Sequence, residues 1–189
     1  MTGWGRVLLA TVCGLVLAGI VHISAVLSVP WLSEQDAFSR LRGTLAADRS
    51  EIIAARGKET WLPRPDPAAS VAACAYNLNE GPLRVSARTS PMFESLSFHA
   101  RGGGIFYAVT DRAAVRGALD LVVMTRRQLD EAQTNEDEDE PSRDVRIVAP
   151  RLEGLVIVRV VAPLPSQREQ AETAAKSVSC VTQPLPGRR

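Results

Sequence analysis

Apolar and polar positions follow two rhythms along this chain, with one stretch that has none. Between Arg6 and Glu34 no residue is formally charged at pH 7, and "VLLATVCGLVLAGIVHISAVLSVPWLS" is apolar on every side. Val7 to Val29 as a helix is about 35 Å long, enough to cross a hydrocarbon core of about 30 Å with some tilt. In lipid such a helix satisfies its own backbone, whereas in water it would need burial all round. Trp4 and Trp31 bracket the run where interfacial aromatics are expected, and Pro30 is expected to end the helix. The rival reading is a cleaved signal peptide. The run is long for a signal h-region, and "VLS" before Val29 is a poor substitute for an A-x-A site.

A helical rhythm follows. In "LSEQDAFSRLRGTLAADRSEIIAARG", Ser33 is a candidate cap with Glu34 and Asp36 in the first turn, and Phe38, Leu41, Leu45 and Ile52 recur at helical spacing. Gly43 weakens this helix and Gly57 is a candidate stop. "WLPRPDPAAS", with Pro63, Pro65 and Pro67, reads as a stiff linker.

From about Ser70 the period becomes two. "VAACAYNL" is a strand, "NEGP" a turn, and "LRVSA" places Leu83, Val85 and Ala87 on one face. Leu96, Phe98 and Ala100 share one face of the next strand, and Ser95, Ser97 and His99 the other. With Arg101 to Gly104 as a hairpin loop, Ala100 faces Ile105, Phe98 faces Tyr107 and Leu96 faces Val109. A one-residue slip would destroy that apolar match. The three glycines are therefore a turn and not a phosphate cradle, since neither a helix nor a Lys-Ser/Thr pair follows them. In this register His99 lies opposite Phe106 and beside Ser97.

"LDLVVMT", "DVRIVAP" and "GLVIVRVVAP" are further strands, the last apolar on both faces as a central strand is, with Gly154 as a turn residue. "RRQLDEAQT" adds a helical turn. "NEDEDEP" is an acidic loop that lacks the D-x-[DN]-x-[DN]-G calcium pattern. Ser166 and Glu169 predict a capping box for a last helix that runs to about Cys180.

The predicted organisation is a tail over 1–6, a transmembrane helix over 7–29, a juxtamembrane helix and proline-rich linker over 30–67, a β-rich domain over 68–181 and a flexible tail over 182–189. Six or seven strands at short spacing make the domain mainly β (α+β): an antiparallel sandwich or partial barrel with a C-terminal helix.

Net charge is +1, so no global basic field points to nucleic acid. The bilayer is the partner the pattern implies. Arg40, Arg42 and Arg49 follow the apolar run, but long domains translocate largely regardless of such charge. The inner membrane with the β domain facing the periplasm is the expected placement. Ala10, Gly14, Ala18 and His22 share one helix face, where small residues let a second helix approach and a polar His seeks a partner.

The three cysteines have no metal-ligand spacing. Cys74 on the first strand and Cys180 at the other end of the domain are a candidate disulfide, which would persist outside the cytoplasm. Two buried free thiols are the alternative. No nucleophile, base or metal constellation is legible, so no catalytic residue, metal or cofactor is assigned. A non-enzymatic role, binding a partner protein, is the leading reading. The alternative is a small-ligand or weakly enzymatic site near His99, Tyr107 and Arg112.

"AYNLNEGPLRVSA" and then "MFESLSFHARGGGIFYAVTDRAA" carry a resemblance. The Gly81-Pro82 turn, the Leu96–His99 strand, the Gly102–Gly104 turn, Phe106-Tyr107 and Asp111-Arg112 resemble the core of a bacterial domain of unknown function, DUF1254, over about residues 70 to 165. The chain is similar to the short membrane-anchored forms of that type, which tend to be encoded beside a companion of the DUF1214 type. The resemblance implies a β-sandwich and a companion membrane protein, and supplies no catalytic residues.

Overall fold

A computed structural model describes residues 3–32, 37–42, 49–54, 66–134 and 144–183. Helix α1 spans Gly3–Leu32, 30 residues or about 45 Å. It is long and apolar enough to cross a membrane, and its most apolar stretch is not buried by the rest of the described residues. Its hydroxyls turn back on their own helix: Thr11 Oγ donates to the Val7 carbonyl at 3.0 Å and Ser28 Oγ to Ala25 at 2.9 Å. Pro30 does not end the helix, which continues to Leu32. Proline's φ is itself helical, so the ring does not turn the chain out of the helix at once.

The juxtamembrane helix is shorter than its sequence suggests. Helix α2 is Ala37–Arg42, and Phe38 and Leu41 share its buried face. Ser33, Glu34, Asp36, Gly43, Leu45, Gly57, Pro63 and Pro65 lie outside the described residues. Ile52 is not helical; it belongs to strand β1, Glu51–Ala54, and pairs with Ala72. Four residues, two of them β-branched, are taken by a sheet edge over local helical spacing.

The remaining strands are β2 (Ala69–Asn77), β3 (Leu83–Arg88), β4 (Glu94–Ala100), β5 (Ile105–Thr110), β6 (Ala118–Met124), β7 (Val145–Val148), β8 (Glu153–Val161) and β9 (Ser179–Thr182). They form two sheets, ordered β1-β2-β8-β4-β5 and β7-β6-β3-β9. Every pair is antiparallel except β6 with β7. The two inner faces enclose the core: Leu96, Phe98, Val156 and Val158 from one sheet meet Leu83, Val85, Leu121 and Val123 from the other. This is an open sandwich and not a closed barrel. Strand β8 is central, with Val156, Val158 and Val160 inward and Leu155 and Ile157 outward.

Three local expectations change. Gly154 is not a turn residue; it sits inside β8, opposite both Tyr76 and Ala100. A Cβ there would collide with the His99 carbonyl and the Tyr76 hydroxyl, so close approach of neighbouring strands demands glycine.

The last helix starts differently and ends earlier. The Gln167 amide donates to the Leu164 carbonyl at 3.0 Å, and the Leu164 amide donates to Gln167 Oε1 at 3.2 Å. This pair, with Pro165 in the first turn, does the work assigned to Ser166 and Glu169. Helix α4 is Arg168–Lys176 and packs Ala171 and Ala175 into the core. The Ser177 amide closes it on Thr173 and Ala174. Cys180 therefore lies on β9, not on the helix.

The hairpin between β4 and β5 keeps Leu96 opposite Val109 and Phe98 opposite Tyr107. A bulge then shifts the register, and His99, not Ala100, faces Ile105. Phe106 is the extra residue, so it no longer lies opposite His99. The bulge brings two consecutive rings onto Phe98, with centroids at 6.3 Å for Phe106 and 5.9 Å for Tyr107. In the turn only Gly102 takes a positive φ, 65°.

Candidate functional site

The outer face of the five-stranded sheet carries a groove of about 1510 Å³. Register builds its floor. Ser95 pairs with Arg159, Ser97 with Ile157 and His99 with Leu155, so alternate residues of β4 and β8 stand side by side facing out. On the other side of β8, Ala73 and Ala75 pair with Ile157 and Leu155, and their small side chains leave room for α2 to pack on this part of the sheet.

Helix α2 walls one end. Phe38 and Leu41 pack on Leu155, with Ile53, Ala75 and Ile157 against them. Glu153 holds this wall, accepting from Arg42 Nη1 at 3.1 Å and from Arg101. The Arg101 guanidinium also lies 5.2 Å from the Phe38 ring centre, a cation–π contact. The opposite end is polar, with Ser95, Thr110, Asp66 and the exposed Arg159.

Midway, Ser97 Oγ lies 3.1 Å from His99 Nε2 and donates to the Ile157 carbonyl at 3.5 Å. Burial first, and then the positive charge of Arg159, lowers the His99 pKa from its ordinary value. His99 is therefore neutral at pH 7, with one donor and one acceptor nitrogen. Among the described residues no carboxylate is hydrogen-bonded to its ring, so the pair can bind a polar group but has no third group to orient it as a base.

A second unusual group lies away from the groove. Glu94 is 1% exposed, and its Oε1 has no hydrogen-bond partner. Burial, and secondarily Asp111, raise its pKa to about 7.

His99 and Tyr107 line the groove, but Arg112, exposed in the turn Asp111–Ala113, does not. Ala10, Gly14, Ala18 and His22 are exposed along α1. Cys74 and Cys180 form a disulfide. Sequence reasoning missed Phe38, Leu155, Ile157 and Arg159 as groove residues. Arg159 had a signal, because it is the only charge inside "GLVIVRVVAP".

No family model and no curated protein matches the chain. Among solved structures, the VPA0106 protein from Vibrio parahaemolyticus is similar in fold, with a TM-score of 0.54 and 9% identity over 80% of this chain. An uncharacterised protein from Burkholderia cenocepacia aligns with a TM-score of 0.48 and 10% identity over 82% of this chain. The chain spans 36% of the first protein and 47% of the second. At these identities the first likeness is one of fold alone.

Proposed function

We propose that this protein is a single-pass, membrane-anchored binding protein that takes its target in the groove beside His99. The groove itself carries the reading: a large concave surface with a mostly apolar lining and a few convergent polar groups is what ligand sites share. Helix α1 is the retained anchor, and the β domain stands in the periplasm. The Cys74–Cys180 disulfide supports that side of the membrane, because disulfides persist in oxidising compartments. Binding is the chemistry the site offers, since the Ser97–His99 pair presents hydrogen-bonding groups to a ligand in the groove.

A companion membrane protein is a second partner on this reading, in keeping with the DUF1254 resemblance. The face of α1 bearing Ala10, Gly14 and Ala18 supports it, because small residues on one stripe let a second helix approach closely. Thermal-shift screening of the full chain in nanodiscs, with peptides, sugars and amphiphiles, tests the groove. Ligands that stabilise the wild type and fail on Ser97→Trp are expected. Ligands that act equally on both would contradict the groove as the site.

A further inference from the structure

From the distribution of charge and apolar surface along the groove, we infer that its ligand is a long-chain carboxylate, bound with its tail against the α2 wall and its head at Arg159. The inference rests on the groove being the binding site.

Three observations converge. The first is polarity along the floor. Leu155, under Phe38 and Leu41, is 7% exposed, whereas Arg159 is open to solvent. They are four strand positions apart, about 13 Å at 3.3 Å per residue. An apolar wall at one end and a cation at the other match an anionic amphiphile laid along β8.

The second is the state of the cations. Arg42 and Arg101 are engaged with Glu153, whereas Arg159 makes no ion pair among the described residues. Its floor neighbours Ser95 and Ser97 are neutral donors. Asp66 lines the same end, its Oδ1 accepting the Ala68 amide at 2.9 Å, and no ion pair joins it to Arg159 among the described residues. A carboxylate can therefore take the guanidinium as a bidentate partner.

The third is access. Helix α1 ends at Leu32 and α2 begins at Ala37, so five peptide steps, at most about 18 Å, separate the membrane helix from the wall of the groove. The apolar end thus stays close to the bilayer, where long-chain carboxylates partition. The groove, at about 1510 Å³, has room for an extended acyl chain.

The test is photo-crosslinking of the full chain in phosphatidylcholine nanodiscs, using palmitate with a diazirine at the tail end and mapping the labelled peptides. Label is expected on 37–42 and around Leu155, with α1 labelled as a bilayer control. Unlabelled palmitate should compete at least tenfold better than hexadecanol or octanoate. Arg159→Gln should weaken that competition about tenfold without changing the α1 label, and Arg159→Lys should restore most of it. Groove label that hexadecanol displaces as well as palmitate, or that ignores Arg159→Gln, overturns the carboxylate assignment and leaves the groove as a site. Label confined to α1 overturns the inference altogether, while the Ser97→Trp screen still judges the groove for other ligands.

Discussion

Cys74 on β2 and Cys180 on β9 join the two sheets across the core, with Cα atoms 6.6 Å apart at a sequence separation of 106. Both residues are almost fully buried. The bond therefore clips the beginning of the domain to its end, where β9 supplies only four residues to the edge of its sheet. Closing a loop of this length stabilises by about 4–5 kcal/mol in the chain-entropy model. Replacing both cysteines by alanine should lower the unfolding free energy by up to about that amount. Chemical denaturation with and without reductant measures it, and a wild-type midpoint indifferent to reductant would contradict the prediction.

Glu94 gives the fold a pH dependence of defined sign. Its pKa is about 7 in the folded protein, against an ordinary 4.5. Between these values the folded chain holds a proton that the unfolded chain has released, so stability falls as pH rises. The contribution is fully present below pH 4.5 and lost above pH 7, a span worth about 3 kcal/mol. Glu94→Gln should remove that dependence and be the more stable protein at pH 8. Unfolding midpoints of the two proteins from pH 4 to 8 check this, and parallel curves would refute it.

Gly154 tests the approach of β8 to its neighbours. Any Cβ at this position meets the His99 carbonyl and the Tyr76 hydroxyl, which hydrogen-bond each other at 3.3 Å. Gly154→Ala should destabilise by about 2–3 kcal/mol, in the range of core overpacking. An unchanged melting temperature would mean that the strands separate here at no cost.

Arg159 and His99 are coupled electrostatically across the groove floor. Because Arg159 is one cause of the lowered His99 pKa, Arg159→Gln should move that pKa upward, toward the ordinary value. Burial should keep it from reaching that value. An NMR titration of the imidazole in the full chain reads the shift. An unmoved pKa would show that the two groups do not sense each other.

The sandwich was legible because its strands alternate over long stretches. Leu83, Val85 and Ala87 are buried on β3, and Leu96, Phe98 and Ala100 on β4, as period two predicts. The short strands were not legible. β1 and β9 have four residues each, too few for a period to show. The Ala-rich run of α4 also gives no local reason to stop at Lys176, before the Ser177 cap. The bulge was hidden for a different reason. Phe106 and Tyr107 are both aromatic, and only packing against Phe98 decides that both turn toward it. The groove was half visible: Ser97 and His99 fall on one polar face of β4, but the wall of Phe38 over Leu155 is a contact across more than a hundred residues.

Alkaline carbonate washing of membrane vesicles, followed by intact-mass measurement of the chain, tests the anchor most directly. The account predicts a sedimenting chain that still carries Gly3–Leu32. A chain released to the supernatant, or one shortened by removal of that helix, would contradict it.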